Sequence, residues 1–181
     1  KYFKIIGKIF LFPYFFLAKK VINNATAISS MTDRFLNHIL NSFGRRRSEM
    51  DLAFPFSSLK VNMTESELIS AKNLWWEYGI NKNAKFRLCY IGNLSPNIDL
   101  EPVKQAAIYF EKKSQEIEII ICGDGVSFEE YKQEFSRFTN VKFTGRVNNL
   151  QAFALSQISQ ATLIPYKNSI DFQLSLPNKF V

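Results

Sequence analysis

The chain has 181 residues, 46% of them apolar and 22% charged, which is enough to bury one good core or two partial ones and excludes a disordered polymer. Its formal charge of +7 lies wholly in the first third, since residues 1–60 hold 10 Lys and Arg against 3 Asp and Glu while residues 61–181 hold 13 of each. The two cysteines, Cys89 and Cys122, fall inside apolar strand patterns and supply neither a disulfide framework nor a metal site, so a reducing compartment is the default.

The first segment, Lys1 to Val21, has lysines at both ends and an unbroken apolar run only from Ile9 to Ala18. That run is too short to span a bilayer, which takes about 20 residues. Asn24-Ala25-Thr26-Ala27 is the nearest approach to a signal-peptide cleavage site and does not make a clean one. Pro13 predicts a kink or a division. A buried or interfacial helix is expected, and because it opens apolar and uncapped the chain looks like a piece cut from something longer. Basic residues mixed with Phe, Tyr, Ile and Leu suit an anionic membrane surface better than nucleic acid.

Ala25 to Ser29 reads as a short strand. Ser30 is placed to cap a helix whose residues Phe35, Leu36, Ile39, Leu40 and Phe43 share one face, and Gly44 ends it. Arg45-Arg46-Arg47 suits phosphate binding or, as a cluster beyond a helix carboxyl end, simply favours the dipole. His38 lies beside the apolar face and reads as structural or surface. Phe54-Pro55-Phe56-Ser57-Ser58 breaks the pattern and divides the chain into units 1–58 and 59–181.

Thr64 to Tyr78 is the best-marked helix, with Thr64 and Glu67 in capping-box spacing and Leu68, Ala71, Trp75 and Tyr78 on one side. Trp75 and Trp76 point different ways. There follow Phe86 to Ile91 running into Gly92, a helix over about Asp99 to Ser114, and Ile117 to Cys122 running into Gly123-Asp124-Gly125. A helix with Ser127 and Glu130 in a second capping-box spacing leads to Val141 to Thr144, closing on Gly145, and Ala161 to Ile164 is a fourth strand. Short apolar strands alternating with amphipathic helices predict an α/β fold: a Rossmann-like parallel sheet with helices on both faces. Ligands of such sheets bind beyond the carboxyl ends of the strands, where these glycines put bare backbone. The glycines serve either a phosphate site or merely the turns, since Gly123-Asp124-Gly125 lacks the third glycine of the dinucleotide fingerprint and no Walker lysine follows. No serine elbow, Cys and His pair, or carboxylate and histidine cluster offers a catalytic centre, and no cofactor or metal is expected.

Five motifs in order, YIGNL (90–94), IIICGDG (119–125), VKFTGRV (141–147), TLIPY (162–166) and LPNKFV (176–181), resemble the carboxyl-terminal, donor-binding domain of a GT-B glycosyltransferase. The likeness is to the retaining bacterial enzymes that build capsule and O-antigen sugars. It makes the second unit the donor domain, truncated at its end, and 1–58 the end of the acceptor-side domain. The resemblance implies that Gly92 and Asn93 face the donor phosphates and that Gly123 and Gly125 line the donor pocket. It sets Gly145 and Arg146 beside the nucleobase, has Pro165 and Tyr166 close the wall, and brings Pro177 and Lys179 to the pyrophosphate.

The expected partners are a nucleotide-sugar donor, a lipid-linked or saccharide acceptor and an anionic membrane surface, in the cytoplasm or on the inner membrane face, with no nucleic acid. Two departures stand out. The family commonly carries an Arg and a Lys where this loop has Asn93, Ser95 and Asn97, and the ribose-binding glutamate expected after Lys179-Phe180-Val181 lies past the last residue. The piece alone is therefore expected to be inactive. The rival reading is a non-catalytic nucleotide-sugar or protein-binding module that keeps the fold.

Overall fold

The computed structural model describes residues 2–55, 63–113 and 116–174. Along the chain these form α1 (Tyr2–Asn24), β1 (Ser29–Ser30), α2 (Asp33–Phe43), β2 (Leu52–Ala53), α3 (Glu65–Glu77), β3 (Phe86–Ile91) and α4 (Glu101–Lys112). Then follow β4 (Ile117–Cys122), α5 (Phe128–Glu134), β5 (Val141–Gly145), α6 (Asn149–Gln157), β6 (Ala161–Thr162) and α7 (Ile170–Leu174). The described residues fall into two compact units, one of residues up to 55 together with 168–174 and one of residues 63–167.

The second unit is built on an all-parallel sheet of order β5-β4-β3-β6. Pairing runs without a break from Phe86↔Ile117 to Ile91↔Cys122 between β3 and β4. Because side chains alternate along a strand, the sheet has two apolar faces and needs a cover on each. Tyr90, Ile119, Ile121 and Val141 pack with Val103 and Ala107 of α4 and with Phe135 and Phe138 at the end of α5. Cys89, Ile120 and Cys122 pack with Ala71 and Trp75 of α3 and with Ala154 and Leu155 of α6. The Rossmann-like sheet with helices on both faces is thus the observed fold. Burial pushes the Cys122 thiol up to about 12, so it behaves as a small apolar group.

The Thr64 capping box forms, with Glu67 N–H donating to Thr64 Oγ1 at 3.3 Å and Thr64 N–H to Glu67 Oε2 at 2.8 Å. Trp75 is buried and donates its indole N–H to Gln151 O, whereas Trp76 turns to the Arg87 guanidinium, 5.5 Å from its ring. The second expected box does not form. Ser127 makes no side-chain cap; it is buried, and its N–H is taken by Leu94 O of a distant loop. Instead Asn148 and Gln151 box the start of α6, with bonds of 2.8 and 3.0 Å.

At the amino edge of this sheet the charged side chains around Glu118 satisfy one another. Arg87 Nε donates to Glu118 Oε2 at 3.0 Å, and its other nitrogens donate to Ile158 O and Asn81 O at 2.6 Å each. Lys142 approaches Glu118 Oε1 at 3.3 Å and donates to Gly79 O. One ion pair thereby fastens the ends of α3 and α6 to the sheet.

In the first unit β1 and β2 pair in parallel, Ser29 with Leu52 and Ser30 with Ala53. The strand expected over 25–29 is only these two residues, and the cap of α2 is Thr32, which accepts from Phe35 N–H at 3.0 Å, rather than Ser30. Ser30 is spent on the strand and on a bond from its hydroxyl to Thr32 O. The arginine cluster is largely structural. Arg45 donates to Ile22 O, Ala25 O and Asp51 Oδ1, which commits it to the fold, and Arg47 pairs at the surface with Asp33 at 2.7 Å. Asp51 is held below the usual carboxylate range, chiefly by the Ser48 N–H it accepts. Residues 168–174 cluster here because Thr32 Oγ1 donates to Leu174 O and Arg34 Nη1 to Gln173 O. Helix α1 runs through Pro13 undivided, and its residues from Phe10 to Leu17 are exposed among the described residues.

Removing one member of a buried ion pair strands the other in a low dielectric. Glu118→Ala is therefore expected to cost about 3–5 kcal/mol, and Lys85→Ala, which breaks an exposed pair with Glu116, less than about 1 kcal/mol. Urea unfolding followed by tryptophan fluorescence checks this on the second unit alone, because Trp75 and Trp76 both lie there.

Candidate functional site

Four parallel strands send their carboxyl-terminal loops to one edge, and the loops knit together. The loop after β3 is the hub. At its start, Gly92 N–H donates to Cys122 O at 3.0 Å and Leu94 N–H to Asp124 O at 2.7 Å, extending the β3–β4 pairing past the strands. At its end, Asp99 N–H donates to Pro165 O at 2.7 Å, Lys167 N–H donates to Asn97 O at 2.9 Å, and Ile98 bridges Tyr166 antiparallel. Two buried-body tyrosines pin it from below, Tyr90 by donating to Asn93 O and Tyr131 by donating to Ile98 O, each at 2.8 Å. Burial raises the Tyr90 phenol far above its ordinary value, so it is a fixed donor at any ordinary pH.

The glycines in the loop after β4 are dictated by this knitting. Both have φ in the left-handed half of the map, 134° at Gly123 and 140° at Gly125. A Cβ at Gly123 would lie 1.8 Å from Gly92 O, and one at Gly125 would lie 2.3 Å from Asn93 Oδ1 and 2.4 Å from Leu94 O. Both residues therefore have a packing reason to be glycine whatever binds there. The Asn93 side chain lies back on this loop. A register shift between Ile121 and Cys122 leaves Thr144 unpaired and brings Gly145 opposite Cys122, after which Gly123 N–H donates to Gly145 O at 2.7 Å. Gly145 has φ 73° with nothing within 4 Å of its would-be Cβ, so its glycine answers to backbone conformation alone.

Gly92, Asn93, Gly123, Gly125, Gly145 and Arg146 are thus brought together at one place. Pro165 and Tyr166 sit at the other end of the hub loop, where they line a cavity of about 410 Å³ with Leu88, Val103 and Leu163. This is where the strand order reverses, since the chain leaves β3 through α4 on one face and reaches β6 through α6 on the other. Pro177 and Lys179 lie outside the described residues.

Three features escaped the sequence reading. The amides of Asn93, Asp124, Gly125 and Arg146, like those of Ser95, Asn97, Val126 and Val147 in the same loops, donate to no described residue, so backbone donors at this edge are left over. Asp124 stands 4.0 Å from Arg146, both exposed, and supplies a carboxylate where anion binding was expected. Lys167 puts a second exposed cation beside the hub loop. The GDG spelling hinted at Asp124, but its pairing with Arg146 depends on the β4–β5 register. Arg146 to Leu150 line an open cavity of about 710 Å³. Among the described residues no three His, Cys, Asp or Glu side chains lie close enough to hold a metal ion.

Solved structures share this architecture. The crystal structure of Anabaena Alr3699/HepE in complex with UDP and glucose matches with a TM-score of 0.57, and that of the same protein with UDP matches at 0.60. The chain has the GT-B type of Rossmann-like fold. Each match is 16% identical and covers 82% of this chain but 40% of the HepE chain, so the chain spans about two fifths of the structures it matches. No family model and no curated protein matches the chain.

Close approach and backbone conformation separate two substitutions at this edge. Gly123→Ala must displace the Gly92 carbonyl and is expected to cost at least about 3 kcal/mol, whereas Gly145→Ala meets only the left-handed penalty of about 1–2 kcal/mol. Equal losses in denaturant midpoint for the two variants would contradict the packing role of Gly123.

Proposed function

We propose that the chain is the nucleotide-binding part of a glycosyltransferase that moves a sugar from a nucleotide-sugar donor. The observation that carries this is the set of unpartnered amides at Asn93, Asp124, Gly125 and Arg146 on the carboxyl edge of a GT-B type sheet. Backbone donors held by a stiff loop suit a diphosphate, because they need no reorganisation when the charge arrives. Arg146 adds a cation, partly engaged by Asp124, and the resemblance assigns Pro177 and Lys179 to the same pyrophosphate. In this reading the donor is seated by Gly92, Asn93, Gly123, Gly125 and Gly145, with Pro165 and Tyr166 as the outer wall. HepE holds UDP, which makes UDP the first ligand to test.

The finer reading follows the motifs. The enzyme is a retaining hexosyltransferase of capsule or O-antigen type, residues 59–181 forming the donor domain and 1–58 the end of the acceptor-side domain. Its acceptor is lipid-linked or a polysaccharide, met at the inner membrane face. What the chain's own residues do is bind and orient the donor, exclude water from the leaving diphosphate and spread its charge over fixed dipoles. A second reading, a non-catalytic nucleotide-sugar module, is favoured by one observation: the hub loop offers Asn93, Ser95 and Asn97 but no cation, and Asp124 offsets Arg146.

Titration calorimetry with uridine and guanosine diphosphates is the test. Binding is expected within the millimolar range for at least one, and Arg146→Ala and Lys179→Ala are each expected to weaken it by about 1.5–3 kcal/mol, the scale of a charge-assisted hydrogen bond. No binding to either nucleotide removes the reading, and binding without sugar transfer by the full-length protein leaves the module.

A further inference from the structure

A carboxylate stands where the fold otherwise collects donors. Asp124 lies between the two constrained glycines of the loop after β4; its carbonyl accepts from Leu94 N–H at 2.7 Å, and the neighbouring Gly123 N–H donates to Gly145 O at 2.7 Å. Its backbone is thus bonded into the loops that hold the spare amides, and its own amide is one of them. The side chain has no such duty. Among the described residues it meets only Arg146, at 4.0 Å, and the two side chains are 62% and 85% exposed. An exposed pair at that separation stabilises a fold very little, so the fold gives no reason for an acid here.

The charge of this edge sums to zero. The loops that follow the four strands, residues 92–100, 123–127, 146–148 and 163–167, carry Asp99, Asp124, Arg146 and Lys167, two acids against two bases. Spare amides on a neutral edge hold an anion by short-range dipoles and have no surplus cation for a further negative charge. The two forms of a nucleotide that such an edge meets differ in that charge. Above the second pKa of a phosphate, about 6, a free nucleoside diphosphate carries about one more negative charge than its sugar ester. The ester also brings hydroxyls, which donate to a carboxylate.

We infer that Asp124 biases this site against the free nucleoside diphosphate and toward its sugar ester, the donor rather than what remains after transfer. The inference rests on the nucleotide reading of this edge and adds to it a residue that discriminates by charge. When the bond between the sugar and the terminal phosphate oxygen breaks, its electron pair stays on that oxygen. The acceptor's hydroxyl oxygen takes the sugar, and the proton of that hydroxyl passes to solvent. Repulsion from Asp124 rises with the new charge and helps the spent diphosphate to leave.

Titration calorimetry on the full-length protein at about pH 8, above that phosphate pKa, tests this with UDP and UDP-glucose and with GDP and GDP-glucose. Asp124→Asn keeps the size of the side chain and removes its charge. It is expected to tighten the free diphosphate at least about threefold more than the ester, the scale of one charge a few ångströms away in water. Asp124→Glu restores the charge and is expected to keep the wild-type ratio of the two affinities. Both variants are expected to retain the native tryptophan fluorescence, since the side chain is exposed. A ratio unmoved by Asp124→Asn, or moved as far by Asp124→Glu, overturns the inference and leaves the nucleotide reading standing. Binding of none of the four ligands by the wild-type protein overturns both.

Discussion

The loop from Gly92 to Leu100 is bonded through its backbone on both flanks, and the carboxyl edge of the sheet takes its shape from that constraint. On one flank it continues the β3–β4 ladder into Asp124, and on the other it meets the loop after β6. The cost of continuing a ladder past its strands is steric. Two backbones come so close that a Cβ at Gly123 has no room, and Leu94 O and the Asn93 side chain fill the corresponding place at Gly125. The gain is a stiff edge. Donors that remain on a stiff edge keep their directions, and pre-set direction is what lets amides stabilise a charge without first moving.

The two edges of the sheet are opposite in character for this reason. At the amino edge the charged groups around Glu118 have found partners in the chain: Arg87 uses Glu118, Asn81 O and Ile158 O, and Glu118 in turn accepts from Asn81 N–H and Lys142. Such a network holds helices to the sheet and offers nothing to a ligand. At the carboxyl edge the strand-end carbonyls are used while several amides are spare, an imbalance that favours an anion. Asp124 is the counterweight, because its exposed carboxylate lies near Arg146, which the resemblance places, with Lys179, among the cations that meet the donor.

Much of this was legible in the sequence where the cause is local. The runs Phe86 to Ile91 and Ile117 to Cys122 are apolar because both faces of the sheet are covered, and their pairing follows in register. The Thr64 box could be read because cap and partner are three residues apart. What escaped depends on distant neighbours. Ser127 has the spacing of a cap, but Leu94 O holds its amide and the side chain is buried. Arg45 looked like a free cation until Ile22 O, Ala25 O and Asp51 claimed it. At the candidate site the cluster of glycines was legible, but not why they are glycines, since that follows from the approach of Gly92, 31 positions earlier in the chain, to Gly123.

The central claim is that the spare amides of this edge receive the diphosphate of a nucleotide. Amide chemical shifts of the 15N-labelled chain, followed as UDP is added, address it residue by residue. The account requires the resonances of Asn93, Asp124, Gly125 and Arg146 to move first and together, with those of Asn81 and Glu118 at the amino edge unmoved. Shifts that begin at the amino edge, or a titration that leaves those four amides in place while UDP binds elsewhere, would contradict it.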